Sequence, residues 1–420
     1  MNILQDLEFR GLLHQLTDRD GLEEKLNKER VVLYCGFDPT ADSLHIGSLL
    51  PILTLKRFQE AGHIPLGLVG GGTGLIGDPS GKASERTLNS LEVVDQWTQS
   101  IKRQLSQFLD FSEQLENPAE IVNNYDWLGK LNVIEFLRDI GKSFTVNYML
   151  AKDSVDSRIS KGISFTEFSY MILQSYDFLQ LNQTKNCSLQ IGGSDQWGNI
   201  TAGLELIGKT SGNRAYGMTL PLVTKSDGQK FGKTEGGTIW LDASKTSPYQ
   251  FYQFWINTDD NDVVRFLKYF TFLDPSEIER LEGEVKQQPE KREAQRVLAR
   301  EVTSLVHGEA ALTSAIHITQ ALFSGNVQDL SAGEIEEAFK DLPSTTIEDT
   351  TMGLVDLLIA AGAAPSKRQA RTDIESGAIT INGTRVTELD KQVSDLGTIG
   401  GSYLIIRRGK KNYYLLKLAY

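Results

Sequence analysis

Between residues 30 and about 220, short β-branched or apolar runs at 31–35, 64–70 and 188–191 alternate with stretches whose apolar positions recur at helical spacing. That alternation predicts an α/β domain, a parallel sheet covered by helices. Residues 34–40, Tyr-Cys-Gly-Phe-Asp-Pro-Thr, read as strand then turn, and the apolar-periodic run 49–58 reads as the helix that follows. A second helical pattern over 168–181 puts Tyr170, Gln174 and Asp177 at i, i+4 and i+7, so they share one face and can converge on one small ligand. Asp177 stands in Tyr176-Asp177-Phe178-Leu179, an aromatic setting in which a carboxylate needs a partner. Residues 220–247 are rich in Gly, Lys, Thr and Ser and predict a mobile loop over the carboxyl edge of the sheet. Pro248 opens a mostly helical region that runs to about residue 325. Residues 326–350 hold seven acids against one lysine and read as a linker or a marginal small element. Beyond them, 366–374 reads as a basic helix and 377–381 as a strand leading into an Asn382-Gly383 hairpin turn. The chain has no visible internal repeat.

At 420 residues the chain exceeds what one hydrophobic core usually serves, so two or three domains are expected. No run approaches the roughly 18 apolar residues that span a membrane. The first ten residues contain Asp6 and Glu8 where a targeting signal would be basic and then apolar, so a soluble, untargeted, cytoplasmic protein with no membrane partner is expected. Cys35 and Cys187 are too few for a disulfide framework and have no metal-ligand spacing, which fits a reducing compartment, and five scattered histidines argue against zinc. The net charge of −12 argues against simple polyanion binding until it is divided along the chain. Residues 351–420 carry ten Lys/Arg against six Asp/Glu, net +4, while the remaining 350 residues are net −16. The tail is the part suited to phosphate backbones.

Two short motifs bear the chemistry. His45-Ile46-Gly47-Ser48 stands at a predicted helix N-terminus, where backbone N–H groups and the helix dipole favour anions. Lys230-Phe231-Gly232-Lys233-Thr234 puts two lysines three apart beside a small residue and a hydroxyl. Alone, the first could be a capping turn with a stray histidine and the second a surface loop. Together and in this order they resemble the paired nucleotide motifs of class I aminoacyl-tRNA synthetases, His-Ile-Gly-His and Lys-Met-Ser-Lys-Ser. Gly72-Thr73-Gly74-Leu75-Ile76-Gly77 also fits the dinucleotide pattern G-x-G-x-x-G, but Asp78-Pro79-Ser80-Gly81-Lys82 follows where that fingerprint needs a helix to begin. Nor is Gly81-Lys82 a Walker loop, because Ile76 stands where its first Gly belongs and Ala83 where Ser or Thr does.

The resemblance sharpens, over nearly the whole chain, to the bacterial tyrosyl-tRNA synthetase family. On this reading a Rossmann-like parallel-sheet catalytic domain spans 1–222, a mobile lysine loop 223–247, a helical domain 248–325, an acidic linker 326–351 and a small α+β RNA-binding domain 352–420. The last resembles a module first known from a small-subunit ribosomal protein, with Lys367, Arg368 and Arg371 near one helix face as a phosphate-contacting stripe. Pseudouridine synthases share that module, but the two nucleotide motifs argue against an RNA-modifying enzyme. A non-catalytic relative should have lost His45 or the loop lysines, and the tryptophan-specific branch lacks this tail.

The family relationship implies a reaction without an enzyme nucleophile. The carboxylate of L-tyrosine attacks the α-phosphate of ATP, and tRNA-Tyr then takes the tyrosyl group on a terminal ribose hydroxyl. The resemblance puts Tyr34 and Asp177 on the substrate phenol, Tyr170, Gln174 and Asp78 on its ammonium, and Gln190 and Gln196 along its carboxylate side. It puts Thr40 and His45 on the ATP phosphates, and Lys82, Arg86, Lys230, Lys233 and Thr234 on the leaving pyrophosphate. Gly36, Asp38, Ser48, Gly192, Phe231 and Gly232 fall among the ATP positions, with Gly47 leaving room for adenine and Asp195 accepting from the ribose hydroxyls. ATP with Mg2+, no tightly bound metal and a homodimer are also implied. Ser48 in place of the motif's second histidine, and Phe231-Gly232 in place of Met-Ser, depart from the pattern and leave the ribose contact at 48 and the detail of loop closure open.

Overall fold

The computed structural model describes residues 1–80, 87–160, 162–228, 231–234, 237–340, 342, 344–409 and 412–419. The chain divides into two units, one of Met1–Thr246 with Asn257–Val302 and one of Ser247–Ile256 with Thr303–Tyr420.

The first unit is built on a six-stranded sheet in the order β1-β6-β5-β2-β3-β4. Its strands are β1 (Gln15–Leu16), β2 (Val32–Phe37), β3 (Ile64–Val69), β4 (Glu120–Asn123), β5 (Cys187–Gly193) and β6 (Tyr216–Leu220). β2 to β6 pair in parallel, and the short β1 closes one edge antiparallel to β6. The apolar runs at 31–35, 64–70 and 188–191 thus become β2, β3 and β5 within two residues at each end. Parallel neighbours need crossovers, and helix Leu49–Glu60 returns β2 to β3 while helix Trp197–Thr210 returns β5 to β6. From the adjacent parallel strands β2 and β5 the chain moves to opposite sides, to β3 and to β6, so a cleft opens at their carboxyl ends. The long helix Phe165–Lys185 leads into β5; Ser164 caps its start by accepting from the Glu167 N–H, and Asn186, at φ 54°, ends it.

The segment from residue 223 to 247 is held at several points. The Ser226 N–H and hydroxyl both donate to Asp262 Oδ2 at 3.0 Å. Phe231 is buried, stacked on Phe270 at 5.5 Å and edge-on to Phe266 at 5.2 Å. Beyond it, β7 (Lys233–Thr234) and β8 (Gly237–Thr238) form a two-stranded ribbon.

The helices between Pro248 and residue 325 do not gather into one helical domain. Asp260–Phe270 and Pro275–Gln287 belong to the first unit, whereas Pro248–Ile256 and Glu309–Ser324 belong to the second. Amphipathic spacing tells that a helix has a buried face but not what covers it. The second unit contains a five-stranded sheet in the order β11-β10-β12-β13-β9, made of β9 (Ser344–Ile347), β10 (Ile379–Ile381), β11 (Thr384–Arg385), β12 (Tyr403–Arg408) and β13 (Asn412–Leu418). Alternation along β12 feeds two cores: Leu404 and Ile406 pack with Leu357, Leu358, Ala370 and Ile374, while Tyr403 and Ile405 pack with Ile318, Val327, Ile335 and Phe339. Residues 326–351, read from their acidity as a linker, are therefore largely folded. They supply a helix, Ala332–Ala338, and β9, which pairs in parallel with β13. Asp329, Glu336, Glu348 and Asp349 are exposed, whereas Val327, Leu330, Ile335 and Phe339 face the core, a pattern that net charge alone conceals. The Asn382-Gly383 turn joins β10 to β11 with both residues at positive φ, 50° and 81°.

Candidate active site

A cavity of about 730 Å³ occupies the cleft at the carboxyl ends of β2 and β5. Tyr34, Gly36, Asp38, Thr40, His45, Gly47, Ser48, Asp78, Tyr170, Gln174, Asp177, Gln190, Gly192, Asp195, Gln196 and Phe231 all line it. The fold brings them together from separate parts of the first unit. Tyr34 on β2 lies in register beside Gln190 on β5. Tyr170, Gln174 and Asp177 project from the long helix before β5, His45 and Gly47 come from the turn after β2, and Asp195 and Gln196 from the turn after β5.

One end of the cavity is a buried polar network. Asp177 accepts from Asn124 Nδ2 at 2.9 Å and from Trp127 Nε1 at 2.7 Å. Burial pushes its carboxyl up to about 8, the two donors pull it down, and the nearby Asp38 charge pushes it up again. Tyr34 is fully buried beside it, and its hydroxyl has no hydrogen-bond partner among the described residues; burial first and the Asp177 charge second raise its pKa well above the usual phenol value. A hydroxyl left unpaired in a buried wall costs stability unless a ligand completes it. The buried Gln190 Oε1 is also without a partner.

A second cluster lies alongside. Tyr170 donates to Asp38 Oδ2 at 2.7 Å, and Thr73 donates to Asp38 Oδ1 at 2.7 Å. Gln196 Nε2 donates to Asp78 Oδ2 at 2.7 Å, and Asn199 Nδ2 reaches both Gln174 Oε1 and Gln196 Oε1 at 3.2 Å. Asp38, an ATP position by resemblance, is here bonded to Tyr170. Carboxylates converging on one hollow with hydroxyl and amide groups suit an ammonium.

At the mouth, His45 begins the 3-10 turn Ile46–Ser48 that leads into helix Leu49–Glu60. Its Nδ1 accepts from the Gly47 N–H at 3.0 Å, so in the neutral ring the hydrogen sits on Nε2, the nitrogen with a hydrogen to donate. A Cβ on Gly47 would lie 2.7 Å from His45 Cε1, so the glycine is also required by the histidine ring.

The two motifs are stitched together. Gly232 has φ +75°, and a Cβ there would meet Ile46 Cγ2 at 2.4 Å, which explains glycine where the family motif has serine. Ile239 N donates to Gly232 O, Ile46 N donates to Ile239 O, and Leu241 N donates to Leu44 O, each at 2.9 Å. Lys233 is exposed at the start of β7 and does not line the cavity. Lys82, Arg86 and Lys230 lie outside the described residues, as does the Thr234 side chain. Lys367, Arg368 and Arg371 belong to the second unit, all exposed on helix Lys367–Glu375, with Lys367 2.6 Å from Asp356 and the opposite face buried through Ala370 and Ile374.

Sequence reasoning missed Asn124, Trp127, Thr73 and Asn199. The first two had a findable signal: Asn124-Tyr125-Asp126-Trp127 follows directly on β4, at the carboxyl edge where α/β sites form.

Comparison with known proteins agrees with this arrangement. Residues 26–324 match the family model for class I tRNA synthetases (W and Y), and residues 334–416 match the SYY-like C-terminal domain of tyrosine–tRNA ligases. The tyrosine–tRNA ligase of Geobacillus kaustophilus is 65% identical over 420 residues, covering 100% of both chains. Tyrosine–tRNA ligase 1 of Bacillus subtilis is 64% identical over 418 residues, 99% of each. Among solved structures, a C-terminally truncated mitochondrial tyrosyl-tRNA synthetase of Aspergillus nidulans superposes with a TM-score of 0.70 at 32% identity, covering 77% of this chain and 94% of that one. No helix among the described residues is long and apolar enough to cross a membrane. Two motifs that meet at one cleft, a buried polar network behind them and near two-thirds identity from end to end have one reading: the chain belongs to the bacterial tyrosyl-tRNA synthetases, class I enzymes that ligate tyrosine to tRNA-Tyr.

Proposed function

We propose that the buried end of the cavity is the tyrosine pocket and its mouth the ATP site. The observation that carries this is the unpaired Tyr34 hydroxyl beside the Asp177 carboxylate in the cavity wall. A substrate phenol that donates to Asp177 and accepts from Tyr34 satisfies both at once. The Asp38–Tyr170 and Asp78–Gln196 pairs then face the ammonium, with Gln174 beside them, and Gln190 lies toward the carboxylate side.

Activation needs the carboxylate to approach the α-phosphate in line, so positioning and charge stabilisation do most of the work. Thr40 and the His45 Nε2–H meet the phosphates, and Asp195 accepts from the ribose. Lys82, Arg86, Lys230, Lys233 and Thr234 act on the departing pyrophosphate. Mg2+ would enter with ATP, on its phosphates, and neutralise their charge; among the described residues no three carboxylate, histidine or cysteine side chains are grouped to hold a metal by themselves. The second unit supplies the tRNA contact through Lys367, Arg368 and Arg371, within a small RNA-binding domain over 352–420.

We also propose a cytoplasmic homodimer. Val133, Ile134, Leu137, Val146, Ile159 and Phe165 are large apolar side chains left between 49% and 75% exposed within one stretch of the first unit. A second copy is the partner that would cover them. The buried free thiols Cys35 and Cys187 fit a reducing compartment.

The decisive experiment is ATP–pyrophosphate exchange with each of the twenty amino acids. Exchange with tyrosine alone is expected; equal exchange with phenylalanine would remove Tyr34 and Asp177 from the phenol.

A further inference from the structure

Gln104 is buried near the end of helix Leu91–Leu105, yet both ends of its amide are spent on the turn that presents His45. Its Oε1 accepts from the Leu44 N–H at 2.8 Å, and its Nε2 donates to Ser43 Oγ at 2.8 Å. The orientation is dictated by chemistry: a backbone N–H can only donate, so the atom facing Leu44 N must be the carbonyl oxygen. Ser43, accepting from Gln104, passes its own hydrogen to Leu44 O at 2.8 Å. That carbonyl also accepts from Leu241 N, so its two lone pairs are used and both sides of the Leu44 peptide are fixed. Ser43, Leu44 and His45 line the cavity, whereas Gln104 stands one layer behind it.

From this clamp we infer that Gln104 is a positioning residue for adenylate formation, holding the turn at residues 43–45 so that His45 meets the ATP phosphates. The inference rests on the proposed role of His45 and adds a residue outside both nucleotide motifs. A polar side chain could have been replaced here by an apolar one if the helix needed only to pack. Its two hydrogen bonds instead tie this helix to Ser43 and to the N–H of Leu44, the residue whose carbonyl Leu241, beyond the lysine segment, holds from the other side. The end of helix Leu91–Leu105, the His45 turn and the stem after the lysines therefore move as one piece.

The test is a set of variants in the full-length enzyme, with adenylate formation measured by pyrophosphate exchange and tyrosyl transfer measured from preformed adenylate. Gln104→Met keeps the volume and removes both hydrogen bonds. It should slow adenylate formation about tenfold, the scale of a lost net hydrogen-bond contribution. The tyrosine KM and the transfer rate should stay unchanged. Because Gln104 acts through His45, Gln104→Met added to His45→Ala should cause no further loss. Ser43→Ala, which removes only the hydroxyl link, should give a smaller loss with the same non-additivity and keeps the test decisive if Gln104→Met does not fold. Losses that multiply in the double variant, or a raised tyrosine KM, would mark Gln104 as merely structural. Normal activity in Gln104→Met beside a crippled His45→Ala would overturn this inference alone, whereas normal activation by His45→Ala would overturn the reading of His45 together with it.

Discussion

Tyr34 and Asp177 are where single side chains have most to decide. Phenylalanine lacks only the hydroxyl, so binding it would leave a buried hydroxyl and a buried carboxyl without their shared partner. Tyr34→Phe removes one of the two, and the tyrosine/phenylalanine ratio of kcat/KM is expected to fall by about tenfold. An unchanged ratio would place the phenol elsewhere. Asp177 also sets a pH dependence. Burial chiefly pushes its pKa up to about 8. Accepting a hydrogen bond from a phenol favours the ionised form, so binding lowers that pKa and releases a proton. Tyrosine affinity should therefore rise from pH 6 toward 8, level off above that, and become flat in Asp177→Asn. Calorimetry in two buffers of different ionisation enthalpy reads the proton directly, and proton uptake would contradict the assignment. For folding the sign runs the other way, because the native state holds this proton more tightly than an unfolded aspartate near pH 4 does. The stabilisation linked to that proton is present below about pH 4 and lost as pH rises through about 8.

Among the elements, the segment after β6 shows how a loop is both anchored and left free to act. Phe231 is held between Phe266 and Phe270, and Gly232 lies against Ile46 of the first motif. Lys233, by contrast, is exposed and does not line the cavity. A cation that engages only as pyrophosphate leaves contributes to the transition state and not to tyrosine binding. Lys233→Ala and Lys230→Ala are thus expected to lower kcat and kcat/KM for activation together, with the tyrosine KM unmoved. A rise in tyrosine KM alone would make the segment a binding element.

At the scale of the molecule, the described residues that line the cavity run from 34 to 231 of the first unit, and the helix that carries Lys367, Arg368 and Arg371 lies in the second. The sheet of the second unit shapes where the chain can be cut. Ending it near residue 350 would strip β9 of its partner β13 and uncover Val327, Ile335 and Phe339. Ending it after Ser324 removes that apolar remnant. The shorter chain should keep tyrosine-dependent pyrophosphate exchange and lose most tRNA charging, and full-length charging should weaken with salt as released counterions require. Normal charging by the truncated chain would exclude the tail as the tRNA contact. Self-association is expected to depend on the apolar stretch of the first unit. Phe165→Asp, at 75% exposure, should shift the enzyme to monomer in light scattering without a large loss of thermal stability. A dimer unaffected by that charge would move the interface elsewhere.

Much of this protein was legible before any coordinates. The alternation of apolar runs and helical spacing determined β2, β3 and β5, and turn chemistry determined the Asn382-Gly383 hairpin, because both signals are written within a few neighbouring residues. The spacing of Tyr170, Gln174 and Asp177 likewise determined that one helix presents all three to the same cavity. Tertiary structure alone decided what lies across from them. Asn124 and Trp127 meet Asp177 from about fifty residues away, and Gly232 meets Ile46 across most of the first unit's sequence. It also decided that residues 326–347 join the sheet and core of the second unit, and that the helices from Pro248 onward are shared between the units. The physical reason is the same in each case. Periodicity and turn preferences act along the chain, whereas a buried face or a buried carboxyl is satisfied by whatever the closed fold brings against it, and separation in sequence does not specify distance in space.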